Sequence, residues 1–94
     1  MLNVIAKVTA QIAHIETVKA ALQAVLEPVR NEEGCISYDL HQDIKDKNLF
    51  FFYETWDTLH HLEEHRLKPH MVELGHQIKD LLERHMEVNL MDKL

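Results

Sequence analysis

The sequence predicts an α+β domain of the ferredoxin-like type, in which a four-stranded antiparallel sheet carries its helices on one face. Strand-forming stretches and stretches with helical spacing alternate in the order β-α-β-β-α-α-β, and split βαβ units of this order build such a sheet. The 94 residues suffice for a single domain, 1–94, and no linker or internal repeat divides them. Hydrophobic residues make up 46% of the chain, as in an ordinary globular protein.

The first part of the chain predicts a strand and a long helix. Residues 2–10 are rich in β-branched and small apolar side chains, which favours a strand. Apolar residues then recur at steps of three and four over 15–29, which predicts an amphipathic helix that begins between Ala13 and Glu16. Because proline cannot donate the helical hydrogen bond, Pro28 should bend this helix or loosen its last turns.

The next segment predicts a turn and a second strand. Gly34 suits a left-handed cap at the end of the helix. In the strand predicted over 35–43, Ile36, Tyr38 and Leu40 alternate with polar residues.

The clearest strand covers 49–56, where nearly every residue is aromatic or β-forming. The polar residues 44–48 suit a hairpin connection to it. After this strand, Asp57 or Thr58 can cap a short helix that reaches about Leu67.

The last part of the chain predicts another helix and a final strand. Pro69 suits the first turn of that helix. Its apolar stripe consists of Met71, Leu74, Ile78 and Leu81. In the final strand, Met86, Val88 and Leu90 alternate with polar residues.

The strand over 49–56 also predicts an assembly. It is apolar on both faces, with Leu49, Phe51 and Tyr53 on one and Phe50, Phe52 and Trp56 on the other. If the helices cover one face, the other leaves an apolar patch that needs a cover. A second copy of the sheet is the simplest cover, so we expect a homodimer.

Composition argues against several classes of protein. The net charge is −6 and the basic residues form no cluster, so a nucleic-acid partner is not expected. Cys35 is the only cysteine, which excludes an intrachain disulfide, and no basic residue adjoins it to activate the thiol. No apolar run approaches the roughly 20 residues of a membrane span, and no signal peptide is evident, so we expect a cytoplasmic protein.

Eight histidines are present, and some of them suggest chemistry. His61 and His65 stand four apart, a spacing that can bind zinc, but the full H-E-x-x-H pattern is absent and we expect no metal site. His65 and His70 flank the break between the two last helices, where a gap over the sheet could hold a small ligand. A histidine there can serve as a general base, and a cap or surface role is the alternative.

Glu54 lies in the most apolar strand of the chain. A buried carboxylate needs a partner or a proton. The sequence therefore predicts either a salt bridge, for which Arg30, Arg66 and Arg84 are candidates, or a catalytic carboxyl group.

Three segments together resemble the antibiotic biosynthesis monooxygenase family. The residues from Glu32 to Tyr38 resemble its Glu-Pro-Gly-Cys-x-x-Tyr signature, with Glu33 in place of proline. The segment 53–56 resembles its Tyr/Phe-Glu-x-Trp strand, and 65–71 is similar to its His-x-x-x-Pro-His-Phe/Met segment. The three segments fall in the family's order and spacing.

The resemblance implies a dimeric α+β barrel, in which ferredoxin-like protomers join through their sheets and each holds a pocket between sheet and helices. Characterised members oxidise quinols or polycyclic phenols with O₂ and use no metal, flavin or nicotinamide, so no cofactor is implied. Carried over by position, the candidate bases are His65 (favoured) and His70, the orienting group is Glu54, and the substrate contacts are Tyr38, Tyr53 and Trp56.

Alternatives remain open within and beyond this resemblance. Phospho-autoinducer isomerases share the turn, the Tyr-Glu strand and the His-x-x-x-Pro-His segment, although Cys35 and Trp56 look more like the monooxygenase branch. Haem-degrading relatives carry an Asn where this chain has Ala6, and His76 is one residue out of their register. A non-catalytic module that binds a small ligand on the same fold is the third alternative.

Overall fold

The computed structural model describes residues 1–94 and confirms the predicted fold. The four strands are β1 (Leu2–Thr9), β2 (Cys35–Gln42), β3 (Leu49–Trp56) and β4 (Glu87–Met91). The helices are α1 (Ile15–Ala24), α2 (Leu26–Arg30), α3 (Leu59–Arg66) and α4 (Pro69–Ile78), with a 3-10 turn at Ile12–His14. None of these helices has the length and apolar composition needed to cross a membrane.

The sheet has the order β2-β3-β1-β4, and every neighbouring pair is antiparallel. One face of it packs against the helices to form the core. The largest buried side chains of this core are Trp56, Tyr38, Phe50, Phe52, Leu22, Leu62, Leu74 and Ile78. Alternate residues of β3 are buried because a strand has a side-chain period of two, so its even-numbered residues face the helices.

The predicted first helix is interrupted rather than bent. It divides at Val25 into α1 and α2, three residues before Pro28. Proline lacks the N–H that would bond the carbonyl of Ala24, and its ring crowds that carbonyl. Pro28 instead lies near the start of α2, where no helical donor is needed.

The turn after α2 confirms the role expected of glycine. Gly34 has a φ of 85°, and it is the only residue with a positive φ. A β-carbon at this position would collide with the side chains of Asp57 and His61. Gly34 therefore lets the turn approach the start of α3 closely, with the Asp57 N–H donating to its carbonyl at 2.9 Å.

One residue of β2 faces the side opposite to that expected from alternation. A bulge lies between Cys35 and Ser37, so that Cys35 pairs with Trp56 and Ser37 with Thr55. The extra residue, Ile36, is 52% exposed. Because a bulge shifts the alternation by one residue, it separates Ile36 from Tyr38 and the core.

The second face of the sheet carries no helix. In the centre of this open face, Ile5 and Phe51 are partly buried and Tyr53 is 47% exposed. Polar residues such as Lys7 and Glu87, whose side chains pair at 3.8 Å, surround the apolar centre. The structure thus confirms the two-sided apolar character of β3, while the homodimer stays a prediction.

Candidate active site

A cavity of about 80 Å³ lies between the sheet and the helices α3 and α4. Eight of its eleven lining residues are hydrophobic. The lining of this sheet–helix cavity consists of Val4, Ala6, Tyr38, Phe52, Glu54, Leu62, His65, Arg66, Met71, Met86 and Val88. A largely apolar wall with a few polar groups is typical of small-ligand sites.

Helix α3 places His65 on the wall of this cavity. The helix begins after Thr58, whose hydroxyl oxygen accepts the backbone N–H of His61. Leu62 and His65, three residues apart on one helical face, are both buried, and His65 is 4% exposed. The imidazole packs against the Trp56 ring, with ring centroids 4.7 Å apart.

Glu32 joins the two histidines that the sequence singled out. It lies in the turn after α2, and its side chain is 5% exposed. Its Oε2 lies 2.9 Å from His65 Nδ1 and 2.6 Å from His70 Nε2. The helix break before Pro69 brings the ends of α3 and α4 together, so both rings reach one carboxylate.

These contacts determine the tautomer of His65. An ionised carboxylate only accepts hydrogen bonds, so the ring nitrogens that contact Glu32 are the ones that carry protons. A neutral His65 then has its proton on Nδ1 and keeps Nε2 free to accept another. Burial lowers the pKa of His65 and outweighs the neighbouring Glu32 carboxylate, which raises it. At neutral pH the buried ring is therefore an uncharged base.

Glu54 contributes a carboxyl group to the cavity wall. It is 4% exposed, and the indole N–H of Trp56 donates to its Oε1 at 3.0 Å. Burial raises the pKa of Glu54 to about 7, against the lowering effects of this hydrogen bond and of the Arg66 charge. None of the arginines proposed as salt-bridge partners pairs with Glu54. Because its pKa is about 7, Glu54 is protonated in a substantial fraction of the molecules near neutral pH.

The three aromatic residues expected to contact substrate lie in different surroundings. Tyr38 lines the cavity and stacks on Phe52, with ring centroids 4.8 Å apart. Trp56 lies outside the lining, where it supports Glu54 and His65. Tyr53 lies on the open face, because neighbouring residues of a strand point to opposite sides. Tyr53 therefore forms no part of this cavity, and its role as a substrate contact stays a prediction.

The histidines of α3 do not meet at one site. His61 Nδ1 lies 2.7 Å from Asp57 Oδ1 at the surface, whereas His65 contacts Glu32. The metal-ligating atoms that do come together belong to Glu32, His65 and His70, and they lie within 4.8 Å of one another. The candidate metal ligands are therefore Glu32, His65 and His70, and not the pair His61 and His65 that the sequence spacing suggests.

Sequence reasoning missed Glu32. It lies 33 residues before His65 and 38 before His70, so no local spacing links the three. The signal for it is its place in the Glu-Glu-Gly segment of the family-like motif, a segment that by itself predicts only a turn. The structure agrees with the expectation that the Cys35 thiol is not activated. Burial raises its pKa to about 11 and leaves it a poor nucleophile.

Comparisons with known proteins agree with the motif resemblance. A family model described as antibiotic biosynthesis monooxygenase matches residues 1–76. The protein named "Putative monooxygenase Rv0793" from Mycobacterium tuberculosis is 36% identical over 76 residues, which cover 81% of this chain and 74% of that protein. Protein sll1783 of Synechocystis sp. is 35% identical over 71 residues, but these cover only 48% of its length and 76% of this chain.

Solved structures share the fold over nearly the whole chain. A crystal structure of an antibiotic biosynthesis monooxygenase has a TM-score of 0.95 at 32% identity, and the match covers 100% of this chain and 99% of that one. For PA3566 from Pseudomonas aeruginosa the TM-score is 0.93 at 34% identity, with 99% and 93% covered. The structure of Rv0793 gives 0.92 at 31% identity, with 99% and 94% covered.

Proposed function

The chain belongs to the antibiotic biosynthesis monooxygenase family, and on that premise we propose that it is a cofactor-independent monooxygenase that oxidises a quinol or phenol with O₂. In this proposal His65 is the general base and Glu32 holds it in its reactive tautomer. One observation carries the proposal: a buried imidazole, bonded through Nδ1 to a buried carboxylate, lies on the wall of an apolar cavity.

The reaction balances without an added reductant. His65 removes a phenolic proton, and the electron-rich phenolate passes one electron to O₂. The two radicals combine to form a C–O bond at a ring carbon, and the peroxide takes up a proton. Loss of the ring proton then breaks the O–O bond and releases water. Quinol and O₂ thus give hydroxyquinone and water, and the quinol supplies all four electrons.

Glu54 supplies the complementary proton in this scheme. With a pKa of about 7, part of its population is a neutral acid that can protonate the peroxide. His70 shares the oxygen of Glu32 with His65, so it orients the carboxylate. An acid and a base with opposite pKa shifts in one cavity are the usual arrangement for paired proton transfers.

The cavity volume limits the substrate. An engineered protein cavity that binds benzene measures about 150 Å³, whereas the sheet–helix cavity measures about 80 Å³. A ring can enter only if flexible side chains at the wall move, and Met71, Met86 and Arg66 are the flexible ones. We therefore propose a quinol or phenol with few rings ahead of the larger polycyclic phenols.

The wall composition also separates the alternatives. A phosphorylated sugar needs several donors and positive charges for its phosphate, and Arg66 is the only cationic side chain in the lining. The apolar wall therefore favours an aromatic substrate over the isomerase substrate. A non-catalytic binding module would bind the same aromatic ligand without turnover.

We also propose that the open face of the sheet joins two copies of the chain. Its apolar centre at Ile5, Phe51 and Tyr53 matches the two-sided pattern of β3. Light scattering should therefore report twice the 11.1 kDa of the chain. Replacing Phe51 with Asp should release monomers, whereas a main species of 11.1 kDa in the unaltered protein would contradict the dimer.

Oxygen consumption tests the proposed function. With a reduced naphthoquinol and a reduced monocyclic quinol as substrates, the purified protein should consume one O₂ per quinol above the spontaneous rate. EDTA should leave the rate unchanged. Saturable binding without O₂ uptake would identify a binding module, and a rate that EDTA abolishes and zinc or iron restores would identify a metal-dependent enzyme.

A further inference from the structure

We propose that Glu32, His65 and His70 also form a binding site for a divalent transition-metal ion such as Zn²⁺, and that the bound ion prevents His65 from accepting the substrate's proton. The three ligating atoms are a carboxylate oxygen of Glu32, Nδ1 of His65 and Nε2 of His70, all within 4.8 Å of one another. Two imidazoles and one carboxylate form a common set of protein ligands for zinc, and they leave a further coordination position open.

The distances allow this exchange with small movements. Zinc bonds of about 2.0–2.1 Å in tetrahedral geometry place ligand atoms about 3.3 Å apart. The two nitrogens now lie 2.9 Å and 2.6 Å from the same oxygen of Glu32. Because the three ligating atoms already lie within 4.8 Å of one another, side-chain shifts on the order of an ångström would convert the two hydrogen bonds into bonds to a shared ion.

A second observation points to a ligand at the same place. The other carboxylate oxygen, Glu32 Oε1, is buried and has no hydrogen-bond partner. The side chain that carries it is 95% buried, since 5% of its surface is exposed. A buried acceptor without a partner is costly. A cation at the trio would stabilise this oxygen by direct or close electrostatic contact.

The ion has a route from solvent. A polar pocket of about 140 Å³ adjoins the trio, and Glu32 forms part of its wall. Glu33 and Glu64 also line this pocket, against one lysine, Lys68. The His70 side chain does not line this pocket, but it is 26% exposed, so an ion can also reach it from solvent. The negative charges of the wall favour entry of a cation.

Metal binding would prevent His65 from acting as the proposed base. A metal on Nδ1 of His65 takes the place of the Nδ1 proton, so the neutral ring then carries its proton on Nε2. That nitrogen faces the chemistry in the proposed reaction, and a protonated Nε2 cannot accept the phenolic proton. This consequence rests on the proposed function, whereas the metal site itself depends only on the three ligands.

Calorimetric titration of EDTA-treated protein with ZnCl₂ tests the site. We expect one Zn²⁺ per chain, with affinity at least about 10-fold weaker in His70→Ala and in Glu32→Gln. His76→Ala is the matched control, because His76 is an exposed histidine on the same helix as His70 and should leave the affinity unchanged. Co²⁺ in place of zinc should give visible absorption bands that His70→Ala abolishes.

Two results would overturn the site. One is the absence of stoichiometric zinc binding to the unaltered protein. The other is binding that survives both His70→Ala and Glu32→Gln but is lost in His61→Ala, which would place the ion at the Asp57–His61 pair. Circular dichroism verifies that each variant is folded, and the partly exposed His70 provides a substitution that the core tolerates even if Glu32→Gln does not fold.

A parallel O₂-uptake assay separates this inference from the proposed function. Zinc should lower the turnover of the unaltered protein in step with site occupancy, and the His70→Ala variant should be insensitive to the same concentration. Zinc that occupies the site and leaves turnover unchanged would refute His65 as the base, while the calorimetric result would still support the metal site.

Discussion

His61 and His65 lie one turn apart on α3, and their rings make the same kind of contact with opposite results. Each ring presents Nδ1 to a carboxylate oxygen, at 2.7 Å from Asp57 and at 2.9 Å from Glu32. The hydrogen bond to Asp57 raises the pKa of His61, whereas burial lowers the pKa of His65. The contact alone therefore does not determine which ring is a base at neutral pH.

The difference comes from the surroundings of the two pairs. The Asp57 side chain is 44% exposed and that of His61 is 23% exposed, so water supports the charged imidazolium beside its carboxylate. The Glu32 and His65 side chains are only 5% and 4% exposed, and the cost of desolvation outweighs the charge partner. One helix thus carries a surface ring whose pKa is raised and a buried ring whose pKa is lowered, and only the second adjoins the sheet–helix cavity.

The largest expected difference between the two histidines is in turnover. Replacing His65 with Ala should lower the rate of quinol oxidation about 10²–10⁴-fold, the usual contribution of a general base. Replacing His61 with Ala should leave the rate unchanged, because His61 lies outside the cavity lining. O₂ uptake under saturating quinol measures both variants.

A folding control completes this comparison. Circular dichroism should show both variants folded, since a collapse of His65→Ala would mimic a catalytic loss. If folded His65→Ala and His70→Ala variants were fully active, no histidine of the trio would be the base. Attention would then turn to Glu54, whose pKa of about 7 also suits a proton acceptor above neutral pH.

A smaller effect is expected from the carboxylate behind His65. Glu32→Gln keeps the shape, and its amide oxygen can still accept both N–H groups, but it removes the negative charge that stabilises the protonated His65 ring formed during the reaction. We expect turnover to fall about 10- to 100-fold, the usual scale for a partner that orients a reactive histidine. Asp57→Asn, which changes the carboxylate behind His61, should leave turnover unchanged.

The measurements on Glu32→Gln must distinguish a role in orienting His65 from a role in packing alone. Loss of a positioning group should lower kcat with little change in KM and should move the acid limb of the pH–rate profile, because the charged ring loses its partner. A purely structural role would instead lower the melting temperature and leave the pH profile of the remaining activity in place. An unchanged kcat would contradict the proposed dyad.

The rule that burial disfavours charge also predicts a pH-dependent stability through Glu54. Its pKa rises from the usual 4.5 to about 7 in the folded protein, so the folded state holds this proton more tightly. The resulting stabilisation is fully present below pH 4.5 and is lost as the pH rises through about 7. The lost contribution is on the order of 3 kcal/mol.

Glu54→Gln tests this sign, because the amide does not titrate and its oxygen can still accept from Trp56. Denaturant unfolding between pH 4.5 and pH 8.5 should show the variant gaining stability relative to the unaltered protein as the pH rises. If the difference in unfolding free energy between the variant and the unaltered protein were independent of pH, Glu54 would be ionised in the folded protein. That result would contradict its role as an acid.

Sequence patterns predict the fold of this chain well because they depend on local physics. The period of two in β3, the Thr58 cap and the Gly34 turn are all encoded within a few residues, and the structure confirms them. The break at Val25 follows from Pro28, but its position depends on the carbonyl four residues earlier. The bulge that exposes Ile36 depends on the pairing of β2 with β3 and has no local signal.

The candidate site is harder to predict from the sequence, because it depends on contacts between residues that lie far apart in the chain. The places of His65 and His70 beside a helix break, and of Glu54 within an apolar strand, make these residues candidates from the sequence. Glu32 reaches them only after the chain has folded, and the neutral state of His65 depends on burial by residues from several strands and helices. The sequence shows which titratable residues are present, whereas burial in the tertiary fold determines which of them is an uncharged base.

The smallest expected effect concerns the surface pair, and it sharpens the contrast with the buried one. The pKa of His61 is raised above the usual 6.5, so its contribution to stability is present below pH 6.5 and is lost as the pH rises through the raised value. Asp57→Asn should therefore destabilise the protein slightly near pH 5.5 and hardly at all near pH 9. Because solvent surrounds the pair, high salt should weaken the effect near pH 5.5. Glu32→Gln should show no such salt dependence, since its partners are buried. Thermal unfolding of both variants at low and high salt measures this, and an equal salt response would remove the distinction between the two pairs.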